Sequence, residues 1–213
     1  MQPGHWRSGV SLMRSGKKSR RAVGLLIAAL IGFTALPSSA QAQADVTSED
    51  WVNKLAGLET TPDLDAVALR QQALERVKSK VDGVAIKRPP IATELLKLPQ
   101  LVVEIKFDPD SPVIRPESYR TLGRIADTLY HPTLLAYKFL IVGHTVSTGK
   151  REHNLTLSQR RADSIRDVLV ATFKVSPKRL QAVGLGEEQL LDRTRPAALT
   201  NQRVQVATVG KIL

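Results

Sequence analysis

The feature that most constrains the fold is a junction between an apolar run, a polar loop and a helical segment within residues 139–162. Residues 139–142 are apolar throughout, which is typical of a short buried strand. Gly143 ends this run, and the polar segment that follows leads into a helix beginning near Lys150. Such a junction places backbone N–H groups and polar side chains at one edge of a sheet. A site for an anionic group is readily built there.

The elements around this junction predict one small α/β sandwich. Alternating and β-branched runs indicate four strands, and helical spacing of apolar residues indicates two helices between the first three strands. The strands are expected at 101–107, 137–142, 180–183 and 203–209, and the helices at 116–130 and 150–173. The order β-α-β-α-β-β predicts an α/β fold of the α+β sandwich type, with helices on one face of a mixed four-stranded sheet.

Residues 1–44 have the pattern of a cleavable secretory signal. A basic stretch precedes the apolar run 22–36, and small residues with Ala-x-Ala spacing lead up to Ala44. We therefore expect cleavage after Ala44, with translation beginning at Met1 or Met13; the alternative is a short uncleaved anchor. The mature chain has no run of 18 or more apolar residues, so no transmembrane span is expected in it.

The net charge of +11 is unevenly distributed. Residues 1–44 hold six of the 31 Lys and Arg and no acid, which leaves the mature chain at +5. Residues 45–98 contain eight bases and nine acids, whereas residues 99–213 contain seventeen bases and eleven acids. A basic exported domain suits a carboxylate-bearing polymer or an anionic surface, unless the charge is only a solvated face. A nucleic-acid partner is not expected outside the cytoplasm.

The chain has no cysteine, which excludes disulfides and a lipid attached to cysteine.

Residues 45–98 are expected to form a separate N-terminal helical and linker region. Its clearest helix has Thr61 as N-cap and Pro62 at the first helical position, and it should run to about Val81. Residues 88–90, Arg-Pro-Pro, predict an extended linker. The sequence leaves open whether this region docks on the later domain, pairs with another envelope protein or acts as a spacer.

Several spaced motifs in residues 99–213 resemble the OmpA-like C-terminal domain, which also occurs in Pal lipoproteins and flagellar motor stators. The central motif reads IVGHT at 141–145, with Gly149 and then NLTLSQRRA at 154–162. Flanking motifs agree with it and occur in the family's order. They are Phe107 with IRPE at 114–117, RL at 179–180 followed by GLGE at 184–187, and NQRV at 201–204. The resemblance covers about residues 100–210.

The resemblance implies noncovalent binding of the peptidoglycan stem peptide in the periplasm, at the cell wall and outer membrane of a Gram-negative bacterium. The family binds diaminopimelate, with a loop aspartate on its ammonium and a helix arginine on a carboxylate. Arg161 stands at the arginine position, and its planar guanidinium suits a bidentate carboxylate contact. Asn154 lies two turns earlier on the same helix face. The implied ligand-binding residues are Thr145, Val146, Asn154, Leu157, Ser158, Arg161, Gln202 and Arg203.

The sequence departs from the family pattern at the other half of the ligand site. Val146 occupies the position of the ammonium-binding aspartate, Gln202 replaces an arginine, and Leu190 stands in place of a proline. Losing a charged hydrogen-bond partner costs about 1.5–3 kcal/mol. Two alternatives to ordinary wall binding follow: an interaction or structural module that no longer binds peptidoglycan, or a preference for stem peptides whose ammonium is absent or masked.

Three titratable residues, His144, Glu187 and Glu188, are of types that can serve in catalysis. His144 has no cysteine or histidine cluster beside it in sequence, so a hydrogen-bonded, loop-shaping role is expected. Glu187 and Glu188 are adjacent and should point apart, which predicts a solvated pair rather than the paired carboxylates of a hydrolase. With no nucleophile–base arrangement and no metal spacing, we predict neither an enzyme nor a metal or cofactor.

Overall fold

Four α-helices and four strands make up the part of the chain that the computed structural model describes, residues 48–59, 62, 64–79 and 87–212. All of these residues belong to one unit, Pro37–Leu213. The helices are α1 (48–55), α2 (Ala66–Ser79), α3 (Tyr119–Leu129) and α4 (Arg151–Ala171). The strands are β1 (Gln100–Val103), β2 (Tyr137–His144), β3 (Leu180–Gly186) and β4 (Val204–Lys211). The predicted secretory signal, residues 1–44, lies outside the described residues.

The strands form one mixed sheet in the order β1-β4-β2-β3. Strand β4 runs antiparallel to both β1 and β2, whereas β3 runs parallel to β2, as the α4 crossover between them requires. The element order β1-α3-β2-α4-β3-β4 is the predicted one, and the predicted fold class is confirmed. Because β2 and β3 are parallel, their carboxyl ends lie together at one edge of the sheet.

The first face of the sheet carries the larger hydrophobic core. Phe139 and Ile141 of β2 point to this face, and α3 and α4 cover it with fully buried side chains such as Ile125 and Ile165. Helix α1 closes the same core with Leu55, whose carbonyl accepts a 2.7 Å hydrogen bond from the Thr208 hydroxyl. Alternate residues of each strand contribute to this core, as the period-2 pattern predicted.

The second face is covered by α2 and by the segment 87–98, which we call the N-terminal strap. Leu69, Ala73 and Val77 of α2 and Leu95 of the strap join Leu140 and other strand residues in a second buried cluster. The described residues of the N-terminal region therefore dock on the sheet. This is the first of the three alternatives that the sequence left open. The division of the chain at residue 98 stays a prediction.

The predicted start of α2 is wrong. Pro62, Leu64 and Asp65 lie outside the helix, which begins at Ala66. The Asp65 carboxylate accepts a 3.0 Å hydrogen bond from the Val67 N–H, the geometry of an N-cap. A strong capping residue three positions after Pro62 thus sets the start, while Thr61 and Val81 lie outside the described residues.

Helix α4 lies unusually close to β2 and β3 because glycines face it. A Cβ at Gly143 would lie 2.4 Å from the Ser158 carbonyl oxygen, and one at Gly184 would lie 2.0 Å from the Gln159 backbone nitrogen. Only glycine fits at such distances. Strands β2 and β3 continue past these glycines, beyond their predicted ends, to His144 and Gly186. The start of α4 therefore lies over the ends of both strands.

Candidate functional site

The candidate site lies where β2 and β3 end, at the loop 145–150 that joins β2 to α4. The Thr145 N–H donates to the Gly186 carbonyl at 3.0 Å, which ties the loop to the end of β3. The Ser147 N–H donates to the Pro196 carbonyl at 2.9 Å, which ties it to the long segment before β4. The Thr145 hydroxyl is buried without a hydrogen-bond partner among the described residues. The loop is thus fixed by neighbouring elements on both sides.

Asn154 organises this loop from the first turn of α4. Its side chain is buried, and its Nδ2 lies 2.9 Å from the Thr148 hydroxyl and 3.3 Å from the Val146 carbonyl. The same Nδ2 lies 2.6 Å from Oε2 of Glu187. The amide therefore connects the loop to the turn after β3, and its contacts within the protein account for the conformation of the loop.

Val146 is half-buried in the loop and supplies only its backbone carbonyl to these contacts. A carboxylate nevertheless reaches the same loop from another element, because the Ser147 hydroxyl donates to Oε1 of Glu187 at 3.0 Å. An acid that the sequence lacks at position 146 is thus present beside the loop, although it is already paired there.

The expectation that Glu187 and Glu188 form a solvated pair is wrong, since each is 2% exposed. Arg88 of the N-terminal strap donates from Nη2 to Glu187 at 2.6 Å and from Nη1 to Glu188 at 2.7 Å. Arg151 of α4 binds both oxygens of Glu188, at 3.0 and 2.8 Å. The tight turn after Gly186, which has a φ of +52°, brings both carboxylates to one side, whereas neighbours in an extended strand would point apart.

These contacts set the ionisation of Glu187. Burial by itself would raise the pKa of this carboxyl group, but hydrogen bonds from Arg88, Asn154 and Ser147 and the charge of Arg88 outweigh it and lower the pKa below its ordinary value. Glu187 is therefore an ionised acceptor at neutral pH. Two buried carboxylates facing two guanidinium groups leave the cluster without net charge.

Arg161 lies two turns after Asn154 and is 6% exposed. Its Nε donates to the Ser111 carbonyl at 2.9 Å, its Nη2 lies 3.4 Å from the Asp108 carbonyl, and its guanidinium stacks 4.7 Å from the Phe107 ring centroid. Burial lowers the pKa of Arg161, and Asp110 opposes that shift. Nη1 has no hydrogen-bond partner among the described residues, so its two N–H groups and the second N–H of Nη2 are three donors without an acceptor there.

The other predicted ligand-binding residues have varied surroundings. Ser158 is buried, and its hydroxyl accepts from the Gly186 N–H at 2.8 Å while donating to the Leu155 carbonyl. Leu157 is half-buried and Gln202 is exposed. Arg203 is 6% exposed and donates to backbone carbonyls, and burial lowers its pKa to about 10.

The structure thus brings four of the eight predicted residues to the loop: Thr145, Val146, Asn154 and, through Gly186, Ser158. Arg161 contacts the separate loop 108–111, and no hydrogen bond joins it to the loop 145–150 within the described residues. Arg88 and Arg151 were missed by the sequence reasoning. An acidic pair directly after the G-x-G turn could have prompted a search for basic partners, but nothing in the sequence identified which bases these would be.

His144 is buried next to the site and pairs through Nε2 with the side chain of Gln205. Burial lowers its pKa well below the ordinary value, and the charge of Arg203 lowers it further. The imidazole is therefore neutral, and the expected hydrogen bond is present, whereas a role in shaping the loop stays a prediction. Within the described ranges no cluster of His, Asp or Glu is arranged to hold a metal ion, and no helix there is long and apolar enough to cross a membrane.

Residues 106–203 match the OmpA family. This part of the chain, which contains α3, β2, α4, β3 and the loop 145–150, is an OmpA family domain, as the motifs indicated.

Individual relatives match between 40% and 50% of the chain. Outer membrane porin F of Pseudomonas fluorescens is 37% identical over 108 residues, which cover 49% of this chain and 32% of that protein. The peptidoglycan-associated lipoprotein of Brucella melitensis is 40% identical over 86 residues, which cover 40% of this chain and 49% of that protein. The chain therefore spans about half or less of the length of these two curated relatives. The crystal structure of the peptidoglycan-associated lipoprotein from Burkholderia pseudomallei is 29% identical, with 50% of this chain and 88% of that chain covered and a TM-score of 0.40.

Proposed function

We propose that this chain is an exported, periplasmic protein of the Gram-negative envelope whose OmpA domain binds peptidoglycan noncovalently through the diaminopimelate of the stem peptide. The observation that carries the proposal is Arg161, a largely buried guanidinium held in place by protein carbonyls, with three N–H groups that have no acceptor among the described residues. Relatives named peptidoglycan-associated lipoprotein support the choice of ligand. Residues 1–44 would direct export and be removed.

Arg161 suits a carboxylate for physical reasons. Its stacking on Phe107 and its bonds to the 108–111 loop fix the plane of the guanidinium before a ligand arrives. Little side-chain entropy is then lost on binding, and a bidentate charge-assisted contact becomes favourable. Such hydrogen bonds contribute about 1.5–3 kcal/mol each.

The site offers fewer partners to the ammonium group of the ligand than to its carboxylate. Val146 offers no charge, and the carboxylate of Glu187 beside the loop is already paired with Arg88. We therefore propose an affinity about tenfold to a hundredfold lower than a loop aspartate would give, which corresponds to about 1.5–3 kcal/mol.

Binding of the mature chain to purified sacculi tests the role of Arg161. Arg161→Ala should weaken binding at least about tenfold, because it removes the carboxylate partner. Arg160→Ala is the matched control, since Arg160 is an exposed neighbour on α4 and its loss changes the charge equally. Circular dichroism should verify folding of both variants. Equal binding by Arg161→Ala and the parent would refute the proposed site.

A second candidate function is an interaction or structural module that does not bind the wall, and Val146 is the observation that favours it. Val146→Asp separates the two candidates. If the rest of the site is intact, an aspartate at this half-buried position of the loop should raise sacculus binding about tenfold or more. Val146→Asn, which has nearly the same shape without the charge, is the control. No binding by the parent and no gain in Val146→Asp would favour the second candidate.

A further inference from the structure

We propose that Arg88 is a positioning residue for the loop 145–150, so that the N-terminal strap, which lies outside the OmpA match, forms part of the binding site. The relevance to wall binding rests on the proposed function, whereas the effect on the loop can be measured without any ligand. The inference comes from an unbroken series of short polar contacts that joins the strap to the loop.

The strap is itself firmly placed. Leu95 is fully buried in the second core, and the Ala92 N–H donates to the Gln189 side chain at 2.9 Å. The Pro89 carbonyl accepts from Arg76 of α2 at 2.8 Å. These contacts at residues 89, 92 and 95 fix the strap next to Arg88 and place Arg88 against the turn after β3.

Arg88 enters an enclosed site. It is 5% exposed, and its two terminal nitrogens bind one carboxylate each, Glu187 and Glu188. Its Nε is buried without a hydrogen-bond partner among the described residues, so the carboxylates account for its placement. A buried guanidinium is stable only when its charge is compensated, and the two glutamates provide that compensation.

Glu187 connects Arg88 to the loop through hydrogen bonds. Its Oε1 accepts both Arg88 and the Ser147 hydroxyl, and its Oε2 accepts Asn154. Asn154 in turn contacts the Val146 carbonyl and the Thr148 hydroxyl. One carboxylate therefore links the strap to three consecutive residues of the loop.

Removing the guanidinium would change this arrangement. Glu187 and Glu188 would remain as two buried carboxylates with Arg151 as the cation on Glu188. Arg151 would compensate Glu188 alone, so Glu187 would be a buried carboxylate without a cation, and burial disfavours the ionised form of such a group. Glu187 would then take up a proton or turn toward water, and either change weakens its bonds to Ser147 and Asn154. The loop would lose the contacts that hold it.

Amide hydrogen exchange of the mature chain tests the inference. In Arg88→Gln the protected amides of Thr145 and Ser147 should exchange at least about tenfold faster than in the parent, while amides in α3 change less. Lys97→Gln is the matched control, because Lys97 lies on the same strap, is exposed and carries the same charge. The control should leave the loop amides unchanged.

Two further measurements distinguish a role of Arg88 in positioning the loop from a role in overall stability. Arg88→Lys retains the charge but cannot reach both carboxylates in the same way, so it should give intermediate exchange and serves if Arg88→Gln does not fold. Sacculus binding should fall with loop protection across Arg88→Gln, Arg88→Lys and the parent. A lower melting temperature with unchanged exchange at Thr145 and Ser147 would overturn the proposal, because Arg88 would then only stabilise the fold. Absence of wall binding by the parent would refute the proposed function, and the exchange data would still decide the role of Arg88.

Discussion

Glu187 accepts hydrogen bonds from three elements of the molecule, so its ionisation affects all of them at once. Its partners are Arg88 of the strap, Ser147 of the loop and Asn154 of α4. The pKa of Glu187 is lowered in the folded state because these hydrogen bonds outweigh its desolvation. A carboxylate with a lowered pKa stabilises the fold above its unfolded pKa, about 4.3, and this contribution is lost as the pH falls through the folded pKa.

Glu187→Gln should therefore have a pH-dependent effect on stability. At pH 7 the free energy of unfolding should fall by about 3 kcal/mol, the typical cost of breaking a buried ion pair. Below about pH 4 the difference from the parent should shrink, because the parent is then losing the same ionised form. Urea unfolding between pH 7 and pH 3 measures both effects. Glu94→Gln, which alters an exposed pair with Lys97, is the control, and a difference independent of pH would contradict the assignment.

At the scale of single residues, the sequence was a better guide to which residues lie at the loop than to which side chains they contact. Arg161 and Asn154 were selected from their positions in a motif, and Asn154 does lie at the loop. The burial of Glu187 and Glu188 was not predicted, since it depends on a turn at Gly186 and on Arg88, about 100 residues earlier in the chain. Long-range pairing of this kind leaves no local pattern in a single sequence.

Among the elements, the pair formed by α4 and β3 determines the geometry of the site. Backbone contact at Gly184 lets the first turns of α4 approach the strand ends, and this approach brings Asn154 to Glu187. The periodicity of α4 and the apolar run of β2 were visible in the sequence, and both elements were predicted close to their observed bounds. The extension of β2 and β3 to the site was not predicted, because glycines interrupt the apolar pattern there.

Gly184→Ala tests the close approach. A Cβ at this position would overlap the backbone of α4, which a side-chain rotation cannot relieve, so we expect a loss of about 3 kcal/mol or more in the free energy of unfolding. Gly123→Ala is the control, since a Cβ there would meet the Phe173 ring at 3.5 Å, an ordinary contact, and alanine favours the α3 helix by up to about 1 kcal/mol. Thermal or urea unfolding of both variants measures the difference, and a mild effect at Gly184 would show that α4 can move away from β3.

On the scale of the whole molecule, the described chain covers its sheet on both faces. The element order and the mixed sheet followed from the sequence because the hydrophobic periods and turn residues agree along residues 99–213. The docking of α2 did not follow, because an apolar stripe on a helix shows that a face is buried but not what buries it. Only the structure therefore shows which residues of the N-terminal region contact the sheet.

The position of β4 in the sheet has a consequence for the order of assembly. Strand β1 pairs with β4 in the sheet, and Gln100 meets Ala207, so the two partners are separated by about a hundred residues of chain. A chain that emerges with its N-terminus first must hold β1 and one side of β2 unpaired until residues 204–211 arrive. Closing the sheet is then among the last events of folding, as expected for contacts of high sequence separation. The nascent chain therefore lacks a complete sheet through most of its synthesis.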